Sequence, residues 1–184
     1  MRFSPTSTEP LFDILPWVLR GHHIDVIEIL RFPAISEILN NHHPSPSGLI
    51  ANLPSVSSEP ASQLSKEYLE NAVRRIEANA EGLLHRHQGS WLTIRSCTRS
   101  ALALLAMKLH HQSEIHHGNN IPEDTRAYQS TPSPVSLQAD YILPSRWKDA
   151  VILVISMLRA WEPESPDIGQ LRLVVEGLLG LCRV

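Results

Sequence analysis

Between residues 65 and 109 the apolar side chains keep a spacing that suits helices and nothing else. Leu69, Ala72, Val73, Ile76, Ala80, Leu83 and Leu84 recur at i, i+3, i+4 and i+7. That spacing lines one face of a helix with a period of about 3.6 residues. Glu70, Arg74, Glu77 and Glu81 fall on the opposite face. Ser65 is placed to cap the start of this helix, and Gln88-Gly89 to end it, which predicts a helix over 65–86. Ser90 is a second capping candidate. Beyond it Ile94, Cys97, Ala101, Leu104 and Leu105 share a face, with Leu92, Leu102 and Leu109 beside them. This face is wider than a stripe, so the helix over 90–109 is predicted to sit at the centre of the core.

The same period continues on both sides. Trp147, Ala150, Val151, Val154, Ile155, Leu158 and Trp161 predict a helix over 145–161, and Ile168, Leu171, Val174, Val175, Leu178 and Cys182 another over 168–182. Upstream, Leu11, Leu15, Val18 and Leu19 form one helical stripe, and Ile24, Ile27, Leu30 and Arg31 a second. Gly21 is expected to separate them, and Pro33 to end the second or begin a third over 34–40. No segment alternates as a half-buried strand would. The expected fold is all-α, an irregular helical bundle with a long disordered insert. A chain of 184 residues with 42% apolar and 19% charged residues has material for one core, so residues 1–184 are taken as a single helical domain. Its 14 prolines are unevenly placed. Residues 41–62 are rich in Ser, Pro and Asn and predict a loop. Residues 116–140 combine Gly, Asn, Ser and Pro and predict a disordered insert.

Charge and cysteine content narrow the function classes. The formal net charge is −3 with no run of Lys or Arg, which argues against direct nucleic-acid binding. The two cysteines, Cys97 and Cys182, define neither a metal cluster nor a disulfide framework. Both lie in apolar helical segments and are expected as buried thiols, which suits a reducing compartment. The N-terminus shows no signal-type apolar region, and no apolar run reaches the length of a membrane span.

Ten histidines raise a metal hypothesis. They occur as His22-His23, His42-His43, His85 and His87, His110-His111 and His116-His117. Adjacent histidines on a helix diverge by about 100°, and the i, i+4 pair with a third ligand that zinc would want is missing. The tract from His110 to His117 suits at most loose metal contact, so no metal ligand, catalytic residue or cofactor site is assigned. Nucleophile, phosphate-loop and dinucleotide motifs are all lacking. Glu162, Glu164 and Asp167 flank prolines and fit a solvated interhelix turn better than a catalytic carboxylate pair. Arg95 and Arg99 share a helix face and are expected to pair with Glu77 or Glu81. Trp17, Trp91, Trp147 and Trp161 fit core or interface anchors.

The run Trp91-Leu-Thr-Ile-Arg-Ser-Cys-Thr-Arg-Ser-Ala101-Leu-Ala-Leu-Leu-Ala106, a polar insert, Leu143-Pro-Ser-Arg-Trp147, and Leu158-Arg-Ala-Trp161-Glu-Pro-Glu-Ser-Pro-Asp167 carry a resemblance. Together they resemble the C-terminal half of the regulatory domain of fungal binuclear-zinc-cluster transcription factors. Leu11 to Ile35 looks like an earlier helix pair of that domain. The resemblance implies an all-α, non-enzymatic domain that acts in the nucleus in transcription regulation through protein–protein interaction. Its partners would be proteins, a full-length relative or another copy of the chain, with Trp147 and Trp161 as anchors if exposed. The family reads DNA through a separate cluster of six cysteines. With two cysteines here, no zinc ligand or DNA-reading residue carries over. The competing class is a small helical enzyme or metal-binding protein that uses the histidines. A cleft with convergent ionisable groups would mark it.

Overall fold

The computed structural model describes residues 14–40, 58–80, 88–118 and 143–182. They form helices α1 (Ile14–Asn40), α2 (Ser58–Ala80), α3 (Gln88–Gly118), α4 (Trp147–Trp161) and α5 (Pro166–Leu181). No strand occurs among the described residues, so the fold is an all-α bundle as expected. No helix among them is long and apolar enough to cross a membrane.

The core is built from the faces that the periodicity marks. Leu69, Ala72, Val73 and Ile76 of α2 meet Ile94, Cys97, Ala101, Leu104 and Leu105 of α3, all of them buried. Val151, Val154 and Leu158 of α4 and Ile168 and Val175 of α5 close the same cluster. α3 touches all four other helices and is the centre of the bundle. α1 lies across α2 and α3, while α5 packs on α4 and α3. Trp91, Trp147 and Trp161 pack partly buried against the core. Trp147 and Trp161 are thus half-buried against the core rather than exposed; the side chain of Trp17 is outside the described set.

Helix ends depart from the sequence expectation in several places. α2 begins at Ser58, so 58–62 is helix rather than loop, and Ser65 is buried within the helix instead of capping it. Ser90 is likewise buried inside α3, which starts at Gln88. α3 runs on to Gly118 and takes in 116–118. Residues 41–57, 81–87 and 119–142 lie outside the described set, and with them the rest of the expected loop and insert. α1 is one helix of 27 residues that passes through both Gly21 and Pro33. Pro33 removes the N–H that would bond the carbonyl of Ile29. Both residues are on the solvent side of α1, where water can take up the freed carbonyl.

α4 and α5 form a hairpin through a 3-10 turn at Glu162–Glu164. The Trp147 N–H donates to the Pro144 carbonyl at 3.0 Å and starts α4. Asp149 in its first turn and Arg159 in its last match the helix dipole. α5 opens with Pro166, whose missing N–H would have no partner there, followed by Asp167.

Candidate functional site

α1 is turned inside out. Its charged residues Arg20 and Glu28 are buried and Asp25 is half-buried, whereas Leu19, Val26, Ile29, Leu30 and Phe32 are 46% to 73% exposed. The two stripes read from the sequence thus lie only partly inside: Ile24 and Ile27 are half-buried, but Leu19 and Leu30 face solvent. Ala34 and Ile35 anchor the C-terminal half of α1 in the core.

Beneath α1 the polar residues of three helices converge. Arg75 of α2 is 3% exposed, yet its Nη1 donates to Asp25 Oδ1 at 2.5 Å. Its Nε lies 3.1 Å from Glu28 Oε1, within ion-pair range but not aligned as a hydrogen bond, and its Nη2 meets no acceptor among the described residues. From α3, Arg99 Nη2 donates to Asp25 Oδ1 at 3.0 Å and to Glu28 Oε2 at 3.3 Å. Ser100 Oγ donates to Glu28 Oε1 at 2.9 Å, and Ser96 Oγ to Asp25 Oδ1 at 3.3 Å. Two carboxylates meet two guanidiniums, so the cluster is formally neutral.

The two carboxyls respond in opposite directions. Burial pushes Asp25 up, but the Arg75 hydrogen bond and the charges of Arg75 and Arg99 outweigh it and hold the group below the ordinary carboxyl value. Burial pushes Glu28 up, and Arg75, Ser100 and Arg99 offset it only in part. The same environment raises the Tyr68 phenol to about 12, through burial first and the Glu28 charge second. Burial likewise lifts the Cys97 thiol to about 12. Neither Tyr68 nor Cys97 ionises near neutral pH, and both carboxylates are already occupied by arginine. The arrangement holds α1 in place electrostatically and offers no activated nucleophile.

A cleft of about 230 Å³ opens beside this cluster, lined by Glu28, Ile29, Phe32, Tyr68 and Arg99. The rings of Phe32 and Tyr68 are 6.3 Å apart and inclined at 55°. On the other flank of α1 a groove of about 400 Å³ runs between Ile27 and Arg31 of α1 and Gln63, Lys66, Glu67, Glu70, Asn71 and Arg74 of α2. Two of its lining residues, Arg31 and Glu67, form an ion pair at 2.6 Å.

The sequence candidates distribute as follows. Arg99 pairs with Asp25 and Glu28 instead of Glu77, because α1 occupies that side of α3; Glu81 lies outside the described residues. Glu77 is taken by Arg146 at 2.5 Å, and Arg95 lies over the Trp91 ring at 5.1 Å. Glu164 and Asp167 are exposed, as a solvated turn requires, whereas Glu162 accepts from Arg172 Nε and Nη2 at 2.9 and 3.1 Å. Cys97 and Cys182 are buried free thiols. His22 and His23 are exposed and His110 and His111 half-buried; His42, His43, His85 and His87 lie outside the described residues. Among the described residues no group of three His, Cys, Asp or Glu side chains stands close enough to hold a metal ion.

Sequence reasoning missed Asp25, Glu28 and Arg75. Arg75 carried a signal: it falls on the same helical face as Ala72, Val73, Ile76 and Asn79, a charge inside an apolar stripe. Comparison with protein-family models, curated proteins and solved structures finds no match for this chain.

Proposed function

We propose that this chain is a transcription-regulatory domain that acts in the nucleus through protein contacts rather than through catalysis or direct DNA reading. The observation that supports this most is the inverted polarity of α1. A helix that buries its charges and turns Leu19, Val26, Ile29, Leu30 and Phe32 outward is suited to an apolar partner surface. Exposed apolar residues of this density on one helix are what helix-to-helix recognition uses. The nuclear, transcriptional part of the reading rests on the resemblance of Trp91 to Ala106 and Leu158 to Asp167 to the zinc-cluster regulators.

The test is tethering. The chain is fused to a heterologous DNA-binding domain beside a reporter gene in fungal cells. A reporter level that departs from the DNA-binding domain alone, and returns to it on Leu30→Glu, is the expected result. An unchanged reporter overturns the reading. For the DNA half, the unfused chain is titrated against random duplexes at near-physiological salt; sequence-selective binding there would also overturn it.

A further inference from the structure

We infer that α1 has two parts of separate stability. The stretch before Pro33 is a hinged arm that lifts from α2 and α3 while the rest of the bundle stays folded, and the cluster of Asp25, Glu28, Arg75 and Arg99 is its latch. This concerns how the fold moves and goes beyond the functional reading above, on which it does not depend.

The two parts are held down by different means. After Pro33, Ala34 and Ile35 are buried, and Ile38 and Leu39 pack against the core. Before it, over 19–32, where side chains are described, no apolar residue is buried. Leu19, Val26, Ile29, Leu30 and Phe32 are exposed and Ile24 and Ile27 half-buried, while the buried positions belong to the charged Arg20 and Glu28. Hydrophobic stabilisation scales with apolar area taken from water, so the arm gains far less of it than the anchor. What holds the arm is mainly polar: Asp25 and Glu28 on Arg75 and Arg99, and Arg31 on Glu67. The tilted contact of Phe32 with Tyr68 adds an aromatic edge.

Pro33 stands where the two parts meet. It has no N–H for the Ile29 carbonyl, so the joint is one helical hydrogen bond short. Helices bend at such points, and a hinge is a position that absorbs a change of φ and ψ between rigid neighbours.

The latch is releasable because water can replace much of it. The Asp25 and Arg99 side chains are 33% and 49% exposed. Glu28, 1% exposed, regains its hydration when the arm lifts, which offsets the pairing it loses. Segments with few buried apolar contacts are those that open below the free energy of global unfolding.

Amide hydrogen exchange of the full chain at neutral pH, in steps of low denaturant, tests this. In the wild type, amides of 22–31 should exchange through an opening that scarcely responds to denaturant, because it exposes little surface. Amides of 35–39 should respond steeply, together with those of 94–107 in α3. Leu104→Ala should speed exchange in 94–107 and leave 22–31 unchanged. Asp25→Ala removes the partner of Arg75, Arg99 and Ser96 at once and should speed exchange in 27–31 by about tenfold or more. Arg99→Gln, at a half-exposed position that the fold tolerates, should act in the same direction. Amides of 22–31 that share the rate and the denaturant slope of 94–107 would make the bundle one unit and overturn the arm. Amides of 35–39 that exchange with 22–31 would overturn the hinge at Pro33. Unchanged exchange in 27–31 in Arg99→Gln or Asp25→Ala would overturn the latch.

Discussion

Arg75 Nη1 stands 2.5 Å from Asp25 Oδ1, a contact between residues fifty positions apart that fastens α1 to α2 below the surface. Its partner acid is half-buried and the arginine almost fully so, which makes the pair asymmetric. Removing the arginine leaves two carboxylates under α1 with only the half-exposed Arg99 opposite them.

Arg75→Met should therefore cost about 3–5 kcal/mol at neutral pH, the range for breaking a buried pair on one side. Glu28→Gln should change stability by less than about 1.5 kcal/mol, because it keeps the Ser100 bond and relieves the burial of a charge. Urea denaturation of each variant measures both.

The pH dependence follows from the signs. Asp25 has a depressed folded pKa, so its contribution is complete above the unfolded carboxyl value of about 4 and is lost as pH falls through the lower folded value. Glu28 has a raised folded pKa, so it opposes: its contribution is present at low pH and is lost as pH rises through that raised value. In Arg75→Met both carboxyls lose their main counter-charge and their folded values rise. The gap between wild type and variant should be widest at neutral pH and close as pH falls below about 4. A gap that is constant with pH would place the cost in packing.

Leu104→Ala should destabilise by about 2–5 kcal/mol, since Leu104 is fully buried at the centre of α3. Leu30→Ala, at 73% exposure, should change monomer stability by less than about 0.5 kcal/mol. Denaturation at low protein concentration separates the two.

Gly21→Ala should stabilise by about 0.5–1 kcal/mol, because Gly21 sits inside α1 and a Cβ there meets nothing within 4 Å. Gly169→Ala should gain less or lose. Its Cβ would stand 3.0 Å from Glu162 Oε1, the oxygen that accepts from Arg172 Nη2. Thermal melts of the two variants compare them directly.

Native Cys97 and Cys182 should react with a thiol reagent only as fast as the chain opens, because both are buried and both thiols are held above their ordinary value by burial. Rates that rise in step with denaturant check this. Immediate labelling of either thiol in the native protein would contradict it.

The centre of the bundle was legible and its first helix was not. Leu104, Leu105, Val151 and Leu158 are buried where the 3.6-residue period predicts. Packing overrode the period in α1, which carries apolar residues on several sides; the count of apolar positions says nothing about which side meets α2. The decisive residues were charged: Asp25 and Glu28, three positions apart, face Arg75 and Arg99 on other helices. That matching is tertiary and leaves no local trace beyond the misplaced charge at Arg75. Gly21 and Pro33 misled for a related reason. A solvent-facing proline breaks one hydrogen bond, and the contacts made by Ala34, Ile35 and the ion pairs hold the helix through it.

The inversion of α1 also sets a schedule during synthesis. Asp25 and Glu28 emerge from the ribosome well before the residues that neutralise them, since Arg75 follows Asp25 by 50 positions and Arg99 by 74. At about 5–20 residues per second the delay is several seconds. Throughout it Val26, Ile29 and Leu30 are on one side of the nascent helix and two unpaired acids on the other, with neither side yet able to dock. Among the described helices α1 thus precedes both helices that neutralise its acids, and its native ion pairs can form only after α2 and α3 have followed.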